Sequence, residues 1–355
     1  MTLHITNGDH AGDKLRSFVD GPVALACDVL HEGPCPPVDG EPWHATRAQF
    51  LASGAGNPPY EAIRSGLAAG DTAIAEACER GDAIVLWFEH DLFDQLALIR
   101  TLDLIVRLKP DTTETRTPNA AHTPVVSGFN QTVPRVSLIC IGAFPGIDRF
   151  VGLGQLTSEQ LATLSGTGAT VTAGHLRLAA DAWHAFRSPD PSELLRIADQ
   201  LSAARLPFGE GGAALPFLGD ALRRLFAEYP STVNGLSRTE ELALRVLLEG
   251  PTAPDALFRA TQAHEERPFL GDLTFYETLR RLGAARVPLL TLNGGNRTNP
   301  EPDTVAITRA GREVLAGEAD HVRLNGIDVW RGGVHLRGSD RSRWRWDSGS
   351  ETLVS

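Results

Sequence analysis

The stretch AIVLWFEHDLFDQLALI, Ala83 to Ile99, decides how this chain reads. Ala83 to Phe88 are all apolar, a short run of the kind found in a strand buried on both faces. Glu89, His90 and Asp91 then arrive together, and DLFDQLALIRTLDLI continues with the spacing of a helix. A buried strand running through a cluster of titratable groups into a helix is one unit of a parallel α/β sheet.

Working outward, the same alternation recurs. LHIT (Leu3–Thr6), VALAC (Val23–Cys27) and RVSLICIG (Arg135–Gly142) have strand character, and YEAIRSGLAAGDTAIAEACERG reads as a helix closing on Gly81. The fold class expected is α/β: a Rossmann-like parallel sheet over residues 1–188, followed by a mainly helical part. Within the first part, residues 106–134 contain four Pro, many Thr and no helical or strand period, and are expected to be a disordered insertion. Residues 189–235 read as a helical connector. Residues 236–355 begin with LSRTEELALRVLLEG, which carries a Ser/Thr cap with Glu240 and Glu241 in its first turn. Helices followed by a strand-loop-strand ribbon give this last part the outline of a winged helix.

Composition excludes several classes of function. No apolar run spans a bilayer and the N-terminus MTLHITNGDH lacks the features of a signal peptide, so a cytoplasmic location and no membrane partner are expected. Cys27, Cys35, Cys78 and Cys140 form no C-x-x-C pair and read as free thiols. With lysine only at positions 14 and 109, no G-x-x-x-x-G-K-[ST] phosphate loop exists, and neither G-x-G-x-x-G nor G-x-S-x-G occurs. Of the net charge of −11, residues 1–235 hold −10, whereas residues 236–346 balance 16 Arg against 15 acidic groups. A nearly neutral C-terminal part disfavours DNA contact through Arg280, Arg281 and Arg286. In the tail RGSDRSRWRW, Trp344 and Trp346 alternate as one strand face should.

In an open parallel sheet, ligands bind beyond the carboxyl ends of the strands. Reading only those ends collects Asn7, Gly8, Asp9 and His10; Asp28, His31, Glu32 and Gly33; and Glu89, His90, Asp91 and Asp94. Asp91 as an N-cap with Asp94 three residues on is a near capping box, which alone accounts for both residues. Glu89 and His90 have no such explanation. The expected catalytic set is His90, Glu89, His31 and Asp9, with His90 as acid/base, titrating near neutrality, and Glu89 or Asp9 orienting it. Asn7, Gly8, Asp28, Glu32, Asp91, Asp94 and Gln95 are expected to bind the ligand. Asp9, His31 and His90 should line one cleft. The spacings match no zinc signature, and neither metal nor other cofactor is specified.

The blocks LHITNGD, DVLHEGP and WFEHDLFDQLALI resemble the signature blocks of the uncharacterised bacterial family called domain of unknown function 1835. LNGIDVWRGGVHL (Leu324–Leu336) resembles the closing block of its longer members. The resemblance implies no activity, but its blocks contain the same strand-end residues. The function expected is a hydrolase or transferase acting on a small phosphorylated or nucleotide-like ligand. The alternative is a non-enzymatic regulator that senses such a ligand and signals through the winged helix.

Overall fold

The computed structural model describes residues 1–54, 56–108, 135–204, 215–294, 303–338 and 344–355. The first half alternates as its sequence suggests: β1 (Thr2–Thr6), α1 (Asp9–Arg16), β2 (Val23–Leu25), α2 (Glu41–Leu51), α3 (Tyr60–Arg80), β3 (Ala83–Glu89), α4 (Leu92–Arg107), β4 (Val136–Ile141), α5 (Ser158–Thr163), β5 (Ala169–Thr170) and α6 (Ala173–Phe186). The five strands form one sheet in the order β2-β1-β3-β4-β5. β1 to β4 are mutually parallel, and β5 is an antiparallel edge that pairs with β4 through only Ser137–Thr170 and Leu138–Ala169.

Both sheet faces are covered. Ile84, Leu86 and Phe88 of β3 enter the larger apolar core with Leu96, Leu102 and Trp183, while Trp87 joins a smaller one with Leu15, Phe150 and Leu161. Side chains alternate across a strand, so one apolar run serves both cores. Gly81, with φ 67°, ends α3 in the left-handed conformation that favours glycine and turns the chain directly into β3.

The second half contains α7 (Ser192–Ala204), α8 (Leu218–Phe226), α9 (Arg238–Val246), α10 (Pro254–Ala263), α11 (Asp272–Gly283), β6 (Leu290–Asn293), β7 (Thr304–Ile307), α12 (Arg309–Leu315), α13 (His321–Asn325), β8 (Ile327–Arg331), β9 (Val334–Gly338), β10 (Arg345–Asp347) and β11 (Thr352–Val354). Its strands pair as small antiparallel ribbons, β6-β7, β8-β9 and β10-β11. The Ser237 cap of α9 forms with Glu240 in a reciprocal capping box. The two halves share a core: Phe186, Leu222, Leu236 and Trp346 belong to the cluster that contains Leu86. The boundaries expected at 188 and 235 therefore fall within continuous apolar packing.

One expectation changes. α4 runs through Arg107, whose guanidinium pairs with Asp103 at 2.8 Å and Asp39 at 3.0 Å, so Val106 and Arg107 are helix and not insertion. The remainder of that segment, 109–134, lies outside the described residues. In the tail, Trp346 is buried and stacks on Phe226 at 5.6 Å, and Arg345 grips Asp320 at 2.6 Å. Arg280, Arg281 and Arg286 are likewise held within the chain, by Glu277, Glu240 and the Leu324 carbonyl. Among the described residues no helix is long and apolar enough to cross a membrane.

Candidate active site at the carboxyl ends of β1 and β3

From β1 the chain steps to one side to form β2, then returns past β1 to form β3 on the other side. The crevice between β1 and β3 is thus the point where the winding reverses, the place where open α/β sheets bind ligands. Asn7 leaves the end of β1 there, and its amide Nδ2 donates to Asp94 Oδ2. Asp94 is held from the opposite side by the Glu89 backbone N–H, 2.8 Å from Oδ1. Asp91 caps α4, its Oδ1 accepting from the Asp94 N–H at 3.0 Å.

The helix-cap reading of Asp91 therefore describes its contact, but the capping box does not form. Asp94 turns away from the cap and ties the two strand ends together. Gln95 adds a second tie, Nε2 donating to the Glu89 carbonyl at 2.5 Å and lying 3.4 Å from Cys140 Sγ at the end of β4. Glu89 itself accepts from the Leu153 N–H. The chain approaches it so closely at Gly152 that a Cβ there would lie 2.4 Å from Glu89 Oε2.

Glu89, Asp91 and Asp94 are each at most 5% exposed, and one oxygen from each falls within 4.8 Å of the others. Among the described residues no arginine, lysine or histidine forms an ion pair with any of them. Burial, with Asp91 beside it, pushes Glu89 up to about 8. Burial likewise raises Asp91 to about 7, against the pull of the Asp94 and Phe93 N–H groups. Asp94 rises well above the carboxylate range through burial and the charges of Glu89 and Asp91. Such a group retains protons at neutral pH unless a cation replaces them, and an all-oxygen set suits a hard divalent ion such as Mg²⁺ or Ca²⁺.

His90 does not behave as expected. Its ring lies between Phe150 and Phe217, with centroids 5.8 and 5.9 Å away, and Nδ1 is buried without a hydrogen-bond partner among the described residues. Burial and the Arg267 charge lower it to about 4, so it is neutral at pH 7 and does not titrate near neutrality. No hydrogen bond joins it to Glu89 or Asp9. The orienting role expected of those carboxylates is absent from this geometry.

The other strand-end residues separate from this group. Gly8, φ 63°, precedes α1 with no side chain capping the helix, and its N–H points to Cys27 Sγ at 3.2 Å. Asp9 is exposed at the first turn of α1. Asp28 is locked to Arg47, whose Nε and Nη2 lie 2.8–3.1 Å from its oxygens, and Glu32 pairs with Arg331 at 3.0 Å. His31 is buried against Phe269 at 5.0 Å and Phe93 at 6.1 Å, surrounded by the charges of Arg331, Glu228, Arg47 and Arg224. Asp9, Asp28 and Glu32 line a large cavity on the β2 side, whereas His31, His90 and the three clustered carboxylates do not. The single cleft expected for Asp9, His31 and His90 is not formed by these contacts.

Sequence reading missed Arg47, Cys140 and the Gly152-Leu153 turn. Only the GLG of that turn, falling after a strand, offered a signal that backbone comes close to something there. In comparisons with known proteins, no family model matches the chain and no curated protein matches it.

Proposed function

We propose that the chain is an enzyme, a hydrolase or transferase that acts on a small phosphorylated or nucleotide-like ligand at the β1–β3 crevice. The observation that carries this reading is the convergence of Glu89, Asp91 and Asp94 within 4.8 Å at the point where the sheet's winding reverses. The uncapped N–H groups at the start of α1 offer a place for a phosphate beside them. Glu89 and His90 have environments that drive their affinities for protons apart, Glu89 to about 8 and His90 to about 4. Glu89, which keeps its proton at neutral pH, enters the reaction as the general acid. From sequence, the acid/base role fell to His90, with Glu89 or Asp9 orienting it.

Thermal unfolding in the presence of nucleotides, sugar phosphates and divalent cations tests the ligand class, since a ligand of the folded state raises the melting temperature. At least one phosphorylated compound should do so. With that compound as substrate, Glu89→Gln should lower kcat by about 10²- to 10⁴-fold and leave the affinity nearly unchanged. If no phosphorylated compound shifts unfolding, the reading fails.

We infer the kinship with domain of unknown function 1835 from the three N-terminal blocks and the block at Leu324–Leu336. A second reading, a ligand-sensing regulator, draws support from the C-terminal half. The order α9, α10, α11, β6, β7, with an antiparallel bridge from Thr252 to Val305, favours a winged helix. Its third helix, α11, turns Thr274, Glu277 and Arg281 toward a cavity shared with the sheet, which suits signalling inside the chain better than DNA reading. A regulator would bind the compound with no turnover for Glu89→Gln to remove.

A further inference from the structure

A cavity of about 940 Å³ lies between the β2 edge of the sheet, the inner face of α3 and, from the C-terminal half, the start of α11 and strand β8. Small-molecule pockets run to roughly 300–1,000 Å³. Its inner wall is apolar, with Leu3 and Ile5 from β1. Ile63, Leu67, Gly70 and Ile74 of α3 follow one another at the spacing of a single helical face. Such a face ordinarily packs flat on a sheet. Here only Ile74 is fully buried, because the cavity separates the rest of the face from β2.

Thr101 of α4 supplies the polar mark. It lines the cavity, it is 0% exposed, and its hydroxyl has no hydrogen-bond partner among the described residues. Buried hydroxyls are normally paired, and among these residues this one is not. The charge of the lining fixes the rest. Seven carboxylates and two arginines line it, and most are paired: Asp28 with Arg47, Glu32 with Arg331, Glu277 with Arg280, Asp328 with His335, Arg100 with Asp71 at 2.8 Å and Arg281 with Glu240 at 3.2 Å. Asp9 and Asp272 have no ion-pair partner among the described residues. An anion entering here would meet net repulsion.

We propose that this cavity binds a small, largely apolar molecule that is neutral or positively charged and carries one hydrogen-bonding group, which meets Thr101. The site shares none of Glu89, Asp91 and Asp94 with the β1–β3 crevice, although Asp9 at the start of α1 borders both. Because its walls come from both halves of the chain, the ligand fastens α11 and β8 to α3.

Fluorescence titration with 1-aminoanthracene, a neutral arylamine, tests the proposal on the full chain, with anthracene-1-carboxylate as its anionic counterpart. The amine should bind saturably, one per chain, and at least tenfold more tightly than the carboxylate. Gly66 lines the cavity, and a Cβ there meets nothing within 4 Å, so Gly66→Leu places a bulky side chain at the cavity wall from an open position and favours the helix. It should weaken the amine at least tenfold. Thr72→Leu, on the same helix but outside the lining, should not. Thr101→Val should weaken it about fivefold, the loss of one hydrogen bond. Absence of saturable binding, equal affinity for the carboxylate, or affinity unmoved in Gly66→Leu would each overturn the proposal, whatever becomes of the crevice. Affinity unmoved in Thr101→Val would overturn the assigned hydrogen bond.

Discussion

Asp28→Ala should destabilise the chain by about 3–5 kcal/mol, read as a lowered midpoint of urea unfolding, because it strands a fully buried charge. Arg47 is 0% exposed, and its guanidinium has two kinds of partner: the Asp28 carboxylate, and the carbonyls of Val29, Glu32 and Pro34 at 2.9–3.0 Å. The loop that carries these carbonyls has no strand or helix to satisfy them, and a buried carbonyl left unpaired is costly. Arg47 thus organises the loop, and the loop in turn joins the two halves through Glu32–Arg331 and the Cys35 N–H to the Gly332 carbonyl at 2.9 Å. Arg47→Met alone should cost a similar amount by freeing Asp28 and the carbonyls. The pair Asp28→Leu with Arg47→Met should lose less than the two single losses added together, since neither charge is then left alone. Single losses below about 1 kcal/mol would mean that water reaches the pair and that the loop is held by something else.

The same contact explains what the sequence could and could not convey. β3 and α4 were legible because their signals are local: an apolar run, a favoured cap, a helical period. The crevice was legible to the extent that strand ends and helix starts locate it, which brought in Asn7, Glu89, Asp91, Asp94 and Gln95. Asp28, His31 and Glu32 stand at a strand end in the same way, yet two of them face arginines and the third faces Phe93 and Phe269. A polar residue facing a ligand and one facing a distant guanidinium look alike in sequence. Arg47 lies 19 residues from Asp28 in a helix with no marked apolar face, and Leu153 lies 64 residues from Glu89. β5 is two residues long, too short to show a period. Glu89 and His90 misled in the opposite direction, because neighbours in sequence took partners that do not meet.

Between about pH 5 and 8 the folded chain should lose stability as the pH rises, by an amount on the order of several kcal/mol, with the carboxylates of the crevice as the cause. Burial sets Glu89 near 8 and Asp91 near 7 in the folded chain, whereas unfolded they would release their protons near 4. Across that window the folded state holds protons that the unfolded state has lost. The stability they contribute is complete below the unfolded values and disappears as the pH climbs through the folded ones. Glu89→Gln leaves an amide oxygen to accept from the Leu153 N–H but removes one titration, so its profile should be flatter. His31 acts in the reverse sense. Burial and the Arg331 charge lower it to about 3, so its contribution is present above its unfolded value near 6.5 and is lost as the pH falls toward 3. His31→Leu should therefore flatten the acid side and leave the alkaline side as it was. Denaturant midpoints measured at intervals from about pH 4 to 9 would separate the two limbs. A wild-type profile level from pH 5 to 8, or one that Glu89→Gln leaves unchanged, would mean that the carboxylates are already ionised against a bound cation. Glu89 would then have no proton to give, and its role as general acid would fall.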